Sequence, residues 1–368
     1  EHKMARNILK SNNVAVTVQQ GSSFSTSNAD LKLYKLVQDY NYSIQLPHQN
    51  LKQVGSQELA SQEFFQQPDV ELGFSYIPEP SMGNEVFGKF LFPSPTTEFK
   101  NMFSGTLGLD TNFYLLIAPN QQDDALDRMA FDESPMNLNG WSAIAFGNCF
   151  PATYGLSYTV GTLPIVSNNY ICSNVVFENL TGTSMLMPAI NLTGGNNDNV
   201  GRCLFQIDAQ TSNDRRPLIV NPENTGSDII LQNLQVGGQA LSGLHFIQSL
   251  DMSVDLSRSS SYGLGNDFAY NRKAQLPAKG SFSVSSLVSG LDSGVLTGVL
   301  DNDLNYDFEL ILQAVTGGVG KNIVYRIEDA KLNSYNYGMS VNNEMTFDTS
   351  FSFQVTETKG LKISGTAY

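Results

Sequence analysis

The chain has 368 residues, 41% of them apolar, which is too long for one ordinary core; two domains, or one with large elaborations, are expected. Only 15% of residues are charged and the net charge is −14, which argues against gripping nucleic acid by its phosphates, since that needs clustered Lys and Arg. Three cysteines, Cys149, Cys172 and Cys203, show no CxxC spacing, so a disulfide framework or zinc site is not indicated, and no apolar run is long enough to span a membrane.

Residues 1–30 read as an extended arm, and the basic opening "EHKMARNILKSNN" has no following apolar run to make it a secretory signal. The first clear strand lies in "LVQDYNYSIQL" (36–46), where Tyr40, Tyr42, Ile44 and Leu46 alternate with Asn41, Ser43 and Gln45. A long polar loop (47–69) leads to the strand "VELGFSY", followed by a Pro/Gly/Asn-rich insertion at about 78–111. A middle strand over 112–118, a short helix over 123–131 opened by acidic residues, and two late strands, "YGLSYTV" (154–160) and the run through Val166, Tyr170 and Cys172, complete this half.

A Gly/Asn/Pro-rich bridge spans 181–225; its apolar pieces "SMLMPAI" and "CLFQI" suggest a strand or two packed on a neighbouring domain. Then the pattern returns. "FIQSLDMSVDL" (246–256) repeats 36–46 at an offset of 210, with Gln248 on Gln38, Ser253 on Ser43, and Asp251 and Asp255 on the wet side. The polar loop 257–279 and the strand "GSFSVSS" keep the same offset; a helix is expected over 293–303 and a middle strand over 306–315. The late strands repeat at 181, Tyr154 falling on Tyr335 and Tyr170 on Phe351, and the last ten residues form a tail. Shared parity is the informative part, because a one-residue slip would reverse every face. The reading is a mainly β chain of two tandem sandwich or partial-barrel domains, each with a short helix: arm 1–30, copy one 31–180, bridge 181–225, copy two 226–358, tail 359–368.

No catalytic constellation emerges. His2, His48 and His245 lie apart and near no nucleophile motif. "GGVGK" (317–321) lacks the Gly at 315 and the Ser or Thr at 322 that a phosphate loop needs, so it reads as a hairpin connection. "DNDLNYD" (301–307) has Tyr306 where a calcium loop needs Gly and Leu312 where it needs Glu. Asp251 and Asp255 share one wet strand face, with no sign of a partner strand closing a cleft over them.

The order of two early strands with a very long polar loop, a short helix and two late strands resembles the tube domain of bacteriophage tails. "EDAKLNSYNYGMSVNNEMTFDTSFSFQV" (328–355) looks like that family's closing strand pair, and "CFPATYGLSYTV" with "YICSNVVFEN" looks like it in the first copy. The resemblance covers roughly 31–180 and 226–358; the insertion and the bridge depart from it. It implies a duplicated tail tube subunit, three chains making a pseudo-sixfold ring, with rings stacked into a hollow tube in the virion tail of a long, non-contractile type. No catalysis and no cofactor are implied. The implied partners are further copies of the chain, a tape-measure protein and DNA passing without tight binding, and tail-tip and terminator proteins, with assembly in the host cytoplasm and no membrane. Asn41, Ser43, Gln45, Asp251, Ser253, Asp255, Ser157, Thr159, Ser340 and Asn342 would line the channel. His48, Gln49, Lys52, Gln53, Arg258, Tyr262, Asn266 and Arg272, on the long loops, would touch the next ring. A trimeric hub or distal tail-tip protein is the nearest alternative, and a β-rich adhesion or carbohydrate-binding module a further one.

Overall fold

The computed structural model describes residues 13–20, 29–34, 36–46, 48–52, 54–55, 59–64, 69–78, 96–102, 111–119, 138–188, 202–207, 229–232, 235–236, 239–240, 245–261, 269, 271–288, 305–313, 322–338 and 345–365. The first half contains β1 (Val14–Gln20), β2 (Ala29–Tyr34), β3 (Val37–Gln45), β4 (His48–Lys52), β5 (Leu59–Phe64), β6 (Asp69–Tyr76), β7 (Thr96–Asn101), β8 (Thr111–Ile117), β9 (Ser142–Thr159), β10 (Ile165–Cys172) and β11 (Asn174–Asn179). There follow β12 (Ser184–Leu186), β13 (Arg202–Ile207), β14 (Ile229–Gln232), β15 (Gln235–Val236), β16 (Gln239–Ala240) and β17 (His245–Asp255). The rest are β18 (Arg258–Ser261), β19 (Asn271–Ala274), β20 (Ala278–Val288), β21 (Tyr306–Gln313), β22 (Asn322–Gly338), β23 (Thr346–Val355) and β24 (Leu361–Gly365). The fold is mainly β, as the alternating sequence requires.

Period-two alternation sorts these strands into layers, one side wet and the other packed. β3, β6, β10 and the C-terminal half of β9 form a four-stranded antiparallel sheet; β17, β20, β23 and the C-terminal half of β22 form another in the same order. β9 pairs with β17, which fuses the two into one eight-stranded sheet. Beneath the first sheet lies the layer β2-β1-β8-β9-β11, and beneath the second β14-β21-β22-β24-β7. β9 and β22, 18 and 17 residues long, run through both layers, so the pairings join into one 18-stranded network.

The offsets of the sequence recur in the pairings. Tyr42 opposes Leu72 as Met252 opposes Phe282, each 210 further on, and Tyr154 opposes Asn168 as Tyr335 opposes Thr349, each 181 further on. Irregularities recur too. The extra residue of a bulge is Gln38 in β3 and Gln248 in β17, then Ala152 in β9 and Asn333 in β22. The repeated glutamine is thus a bulge position.

Each long strand turns from one layer to the other at a left-handed residue, Asn148 (φ 49°) and Asp329 (φ 55°), again 181 apart. There the backbone N–H leaves the ladder and needs another acceptor. Asn148 N–H donates to Asn112 Oδ1 at 3.0 Å, and Asp329 N–H to Asp307 Oδ1 at 2.9 Å, each acceptor being the single residue that faces the two-residue bulge of the long strand. Between the layers, aromatic rings meet alike in both halves: Phe113 and Tyr170 at 4.7 Å, Phe308 and Phe351 at 4.8 Å. A second core on the outer side of the first lower layer gathers Leu33, Tyr114, Trp141, Met185 and Met187. β12 and β13 from the bridge extend that layer, β13 running parallel to β2.

Several expectations are corrected. Within the expected arm, Val14–Gln20 is a strand between β2 and β8 with Val18 fully buried, because "VAVTV" is β-branched enough to fill that slot. In the expected tail, Leu361–Gly365 pairs with β22 and β7, burying Leu361 and Ile363. The polar loops 47–69 and 257–279 contain two-stranded ribbons, β4–β5 and β18–β19, in equivalent register. The expected helices at 123–131 and 293–303 lie outside the described residues, as does 317–321, although β21 and β22 on either side of the latter pair antiparallel.

If the corner carries the turn between layers, Asn112→Ala costs about 1–3 kcal/mol by stranding a buried N–H, and Asp307→Ala costs less because its bond is solvated. Denaturant midpoints of the two variants check this; an equal loss for both, or none for either, counts against it.

Candidate assembly surface

The wet face of the eight-stranded sheet is a field of hydroxyls and amides. Asn41, Ser43, Gln45, Ser157, Thr159, Asp251, Ser253 and Asp255 are exposed on their strands as their parity requires. Ser157 Oγ donates to Asp251 Oδ1 at 2.5 Å across the β9–β17 join, and Ser253 and Ser281 hydroxyls meet at 2.7 Å. Ser285 Oγ donates to Asp348 Oδ1 at 2.5 Å, Ser352 Oγ to Asn333 Oδ1 at 2.8 Å, and Asn169 Nδ2 to Thr153 Oγ1 at 3.0 Å. Gly73 leaves room for Asn41 and Asn169, since a Cβ there would collide with the Oδ1 of each. Carboxylates (Asp39, Glu71, Asp251, Asp255, Asp348) outnumber the ammonium groups of Lys279 and Lys331 on this face. Polar groups that satisfy one another sideways, under a negative field, hold phosphate weakly.

The candidates chosen from sequence cover only part of this face. Ser340 and Asn342 lie outside the described residues. Sequence reading missed Ser281, Ser283 and Ser285 of β20 and Asp348, Ser350 and Ser352 of β23, which stand in register across the same face. The signal was there in the alternation "SFSVSS" and "DTSFSF". Two shallow grooves of about 230 and 250 Å³ between these strands are lined mainly by serines. Among the described residues no three His, Cys, Asp or Glu side chains are grouped to hold a metal ion.

The outer edges of the sheet differ from the join at its centre. Among the described strands β3 has β6 on one side only, and the C-terminal half of β22 has β23 on one side only. In β17, which β9 covers, and just past its end, Met252 is 3% and Leu256 1% exposed. Equivalent positions in β3 stay open: Tyr42 is 40% exposed and Leu46 56%, although Tyr40 and Ile44 reach the core. Burial, then Tyr42, raises the pKa of Tyr40, and burial, then Tyr335, that of Tyr337 on the opposite edge.

The ribbons differ as well. Arg258 and Arg272, expected to face another ring, are turned inward and latch the second half of the chain onto the first. Arg258 Nε donates to Pro151 O at 2.5 Å and Nη1 to Arg272 O at 2.9 Å, with the guanidinium 5.4 Å from the Phe150 ring. Arg272 is 4% exposed; its Nη2 donates to Cys172 O at 3.5 Å and stands 3.9 Å from Asp69. Burial, then the like charge of Arg272, pushes Arg258 down to about 10, still protonated at neutral pH. The fork of Arg suits two carbonyls at once, which explains why this latch is not lysine. On β4–β5 the equivalent positions are His48 and Gln62, so the pair of arginines is not repeated. Lys52 is exposed on that ribbon, the side chains of His48 and Gln49 are outside the described set, and so are Gln53, Tyr262 and Asn266 altogether.

Arg258→Ala is expected to cost about 2–3 kcal/mol, the scale of lost hydrogen bonds to a charged group, and Arg258→Lys to recover only part of it. Thermal and denaturant unfolding of the two variants measure this, and an unchanged midpoint for the alanine variant speaks against the latch.

No family model matches the sequence, and no curated protein matches it. Among solved structures, a chain described as "Tail of empty GTA particle computed with helical refinement, C6 symmetry" is similar at 16% identity and a TM-score of 0.24, over 38% of this chain and 96% of that one. A likeness of that size assigns no family.

Proposed function

We propose that the chain is a structural virion protein, a tail tube subunit whose trimeric rings stack into a hollow conduit for the genome. One observation carries this reading: two equivalent four-stranded sheets sit head to tail in one continuous sheet, with a join that a further copy can repeat. A repeated head-to-tail contact either closes into a ring or runs on without end, and closure removes every exposed sheet edge.

The stagger supports a ring of useful size. From Asn41, cross-strand partners lead through Gly73, Asn169 and Thr153 to Asp255, whereas the repeat equates Asn41 with Asp251. Each sheet therefore shifts the next by 255 − 251 = 4 residues, one residue per strand. With usual strand spacing and rise, that shear gives a tilt of about 35°, within the range of closed barrels. Three chains contribute roughly 24 strands, a backbone radius on the order of 22 Å, and a bore wide enough for a DNA duplex after side chains are counted. The serine-rich, net acidic face would line it, and DNA would slide past without being held. In this reading 31–180 and 226–358 act as the two equivalent staves, the virion tail is the site of action, and catalysis has no part.

Negative-stain electron microscopy of the purified full chain over a range of concentrations tests the proposal. Stacked rings with a central channel are expected. Monomers under every condition would overturn it, and single rings that never stack would favour the hub or tail-tip alternative.

A further inference from the structure

We infer that the seam between chains is the pairing of β22 with β3 of the next copy, in the register that β9 and β17 use inside one chain; this rests on the ring reading above. β3 is the repeat equivalent of β17, and β22 of β9, down to the bulges at Gln38 and Gln248, Ala152 and Asn333. The second copy is therefore the occupant to which each free edge is already shaped. No other partner is needed to explain why Tyr42 and Leu46 are open where Met252 and Leu256 are covered.

The register follows by arithmetic. Within the chain Asp251 opposes Ser157 and Ser253 opposes Gly155, so paired residue numbers sum to 408. Shifting one strand by 210 and the other by 181 gives 408 − 210 + 181 = 379. Asn41 then opposes Gly338, Tyr42 opposes Tyr337, Ser43 opposes Asn336, Ile44 opposes Tyr335, and Gln45 opposes Ser334. Apolar meets apolar at Tyr42 and Ile44, and polar meets polar at Ser43 and Gln45. A slip of one residue would set Tyr42 against Asn336 or Gly338 and put every pair out of phase.

Hydrogen-bond phase is specified too. Val160 N–H donates to Gln248 O and Leu256 N–H to Ala152 O, which makes the even-numbered pairs of the internal join the hydrogen-bonded ones. Pairs on the wet face, Ser43 with Asn336 among them, are then the closely spaced, non-hydrogen-bonded kind. Because β4–β5 lacks the two arginines, this seam is without the arginine latch of the internal join, and as a contact between chains it forms by mass action.

Cysteine cross-linking of the full chain tests the register. Ser43→Cys and Asn336→Cys are introduced together, the protein is oxidised, and products are read on a non-reducing gel and by mass spectrometry of the linked peptides. In one chain the two sites lie on opposite edges of the eight-stranded sheet, roughly 33 Å apart at ordinary strand spacing, so any disulfide joins two chains. Most of the protein is expected to become covalent trimer. All variants carry Cys203→Ser; that parent, with only the buried Cys149 and Cys172 left, and the shifted pair Ser43→Cys/Ser334→Cys are expected to give none. Rings on the microscope grid without the 43–336 disulfide, or with the shifted pair linked in its place, overturn the seam while leaving the ring. Absence of any ring overturns both. A second variant, Tyr42→Asp, should raise the concentration needed for assembly at least tenfold with an unchanged far-ultraviolet circular dichroism spectrum; assembly at the parent concentration would contradict the seam.

Discussion

The structure depends on the antiparallel join between β9 and β17. A sheet edge is a row of unpaired N–H and C=O groups, and each four-stranded sheet here has two such rows. Joining the sheets satisfies one row from each and covers the apolar side of β17, each fully buried side chain there contributing about 1.5–3 kcal/mol. The remaining rows, on β3 and β22, are copies of the two just joined. Exposure of Tyr42 has the same origin: β3 lacks, among the described strands, the neighbour that β9 gives to its equivalent β17.

That contact holds its register because the strands around it are pinned. β9 and β22 leave the lower layer and enter the upper one at Asn148 and Asp329, where a left-handed turn and a side-chain acceptor replace the ladder bond. A bulge at the corner and a second just beyond it, at Ala152 and Asn333, fall at equivalent positions in each half, so both sheets leave their corners with the same phase. The Tyr154 hydroxyl donates to that of Tyr325 at 3.0 Å, tying the upper strand of one half to the lower strand of the other. Arg258 and Arg272 close the end of the same contact. They illustrate how two copies of one pattern acquire different work: one ribbon is fastened to its own chain, while the other keeps polar residues where the arginines would be.

Much of the fold was legible in the chain itself. Alternation in 36–46 and 246–256, and two constant offsets, located the strand pairs, because period two and parity are local properties of a half-buried strand. Less legible were β1 and β24, short runs beside polar segments, which become strands only because a slot between other strands awaits them. The long polar loops folded back into ribbons for the same reason: hairpin pairing is a choice between segments, and composition does not record it.

Of the surface, the sequence by itself determined which side of each strand is wet, and Asn41, Ser43, Gln45, Ser157, Thr159, Asp251, Ser253 and Asp255 are exposed as that parity requires. Only the tertiary structure decided that β9 meets β17, that β20 and β23 carry the serines between them, and that Arg258 and Arg272 turn inward. Side-chain parity is written into neighbouring residues, but the order of strands in a sheet is set by long-range pairing, where many edges compete and burial of the whole layer selects one.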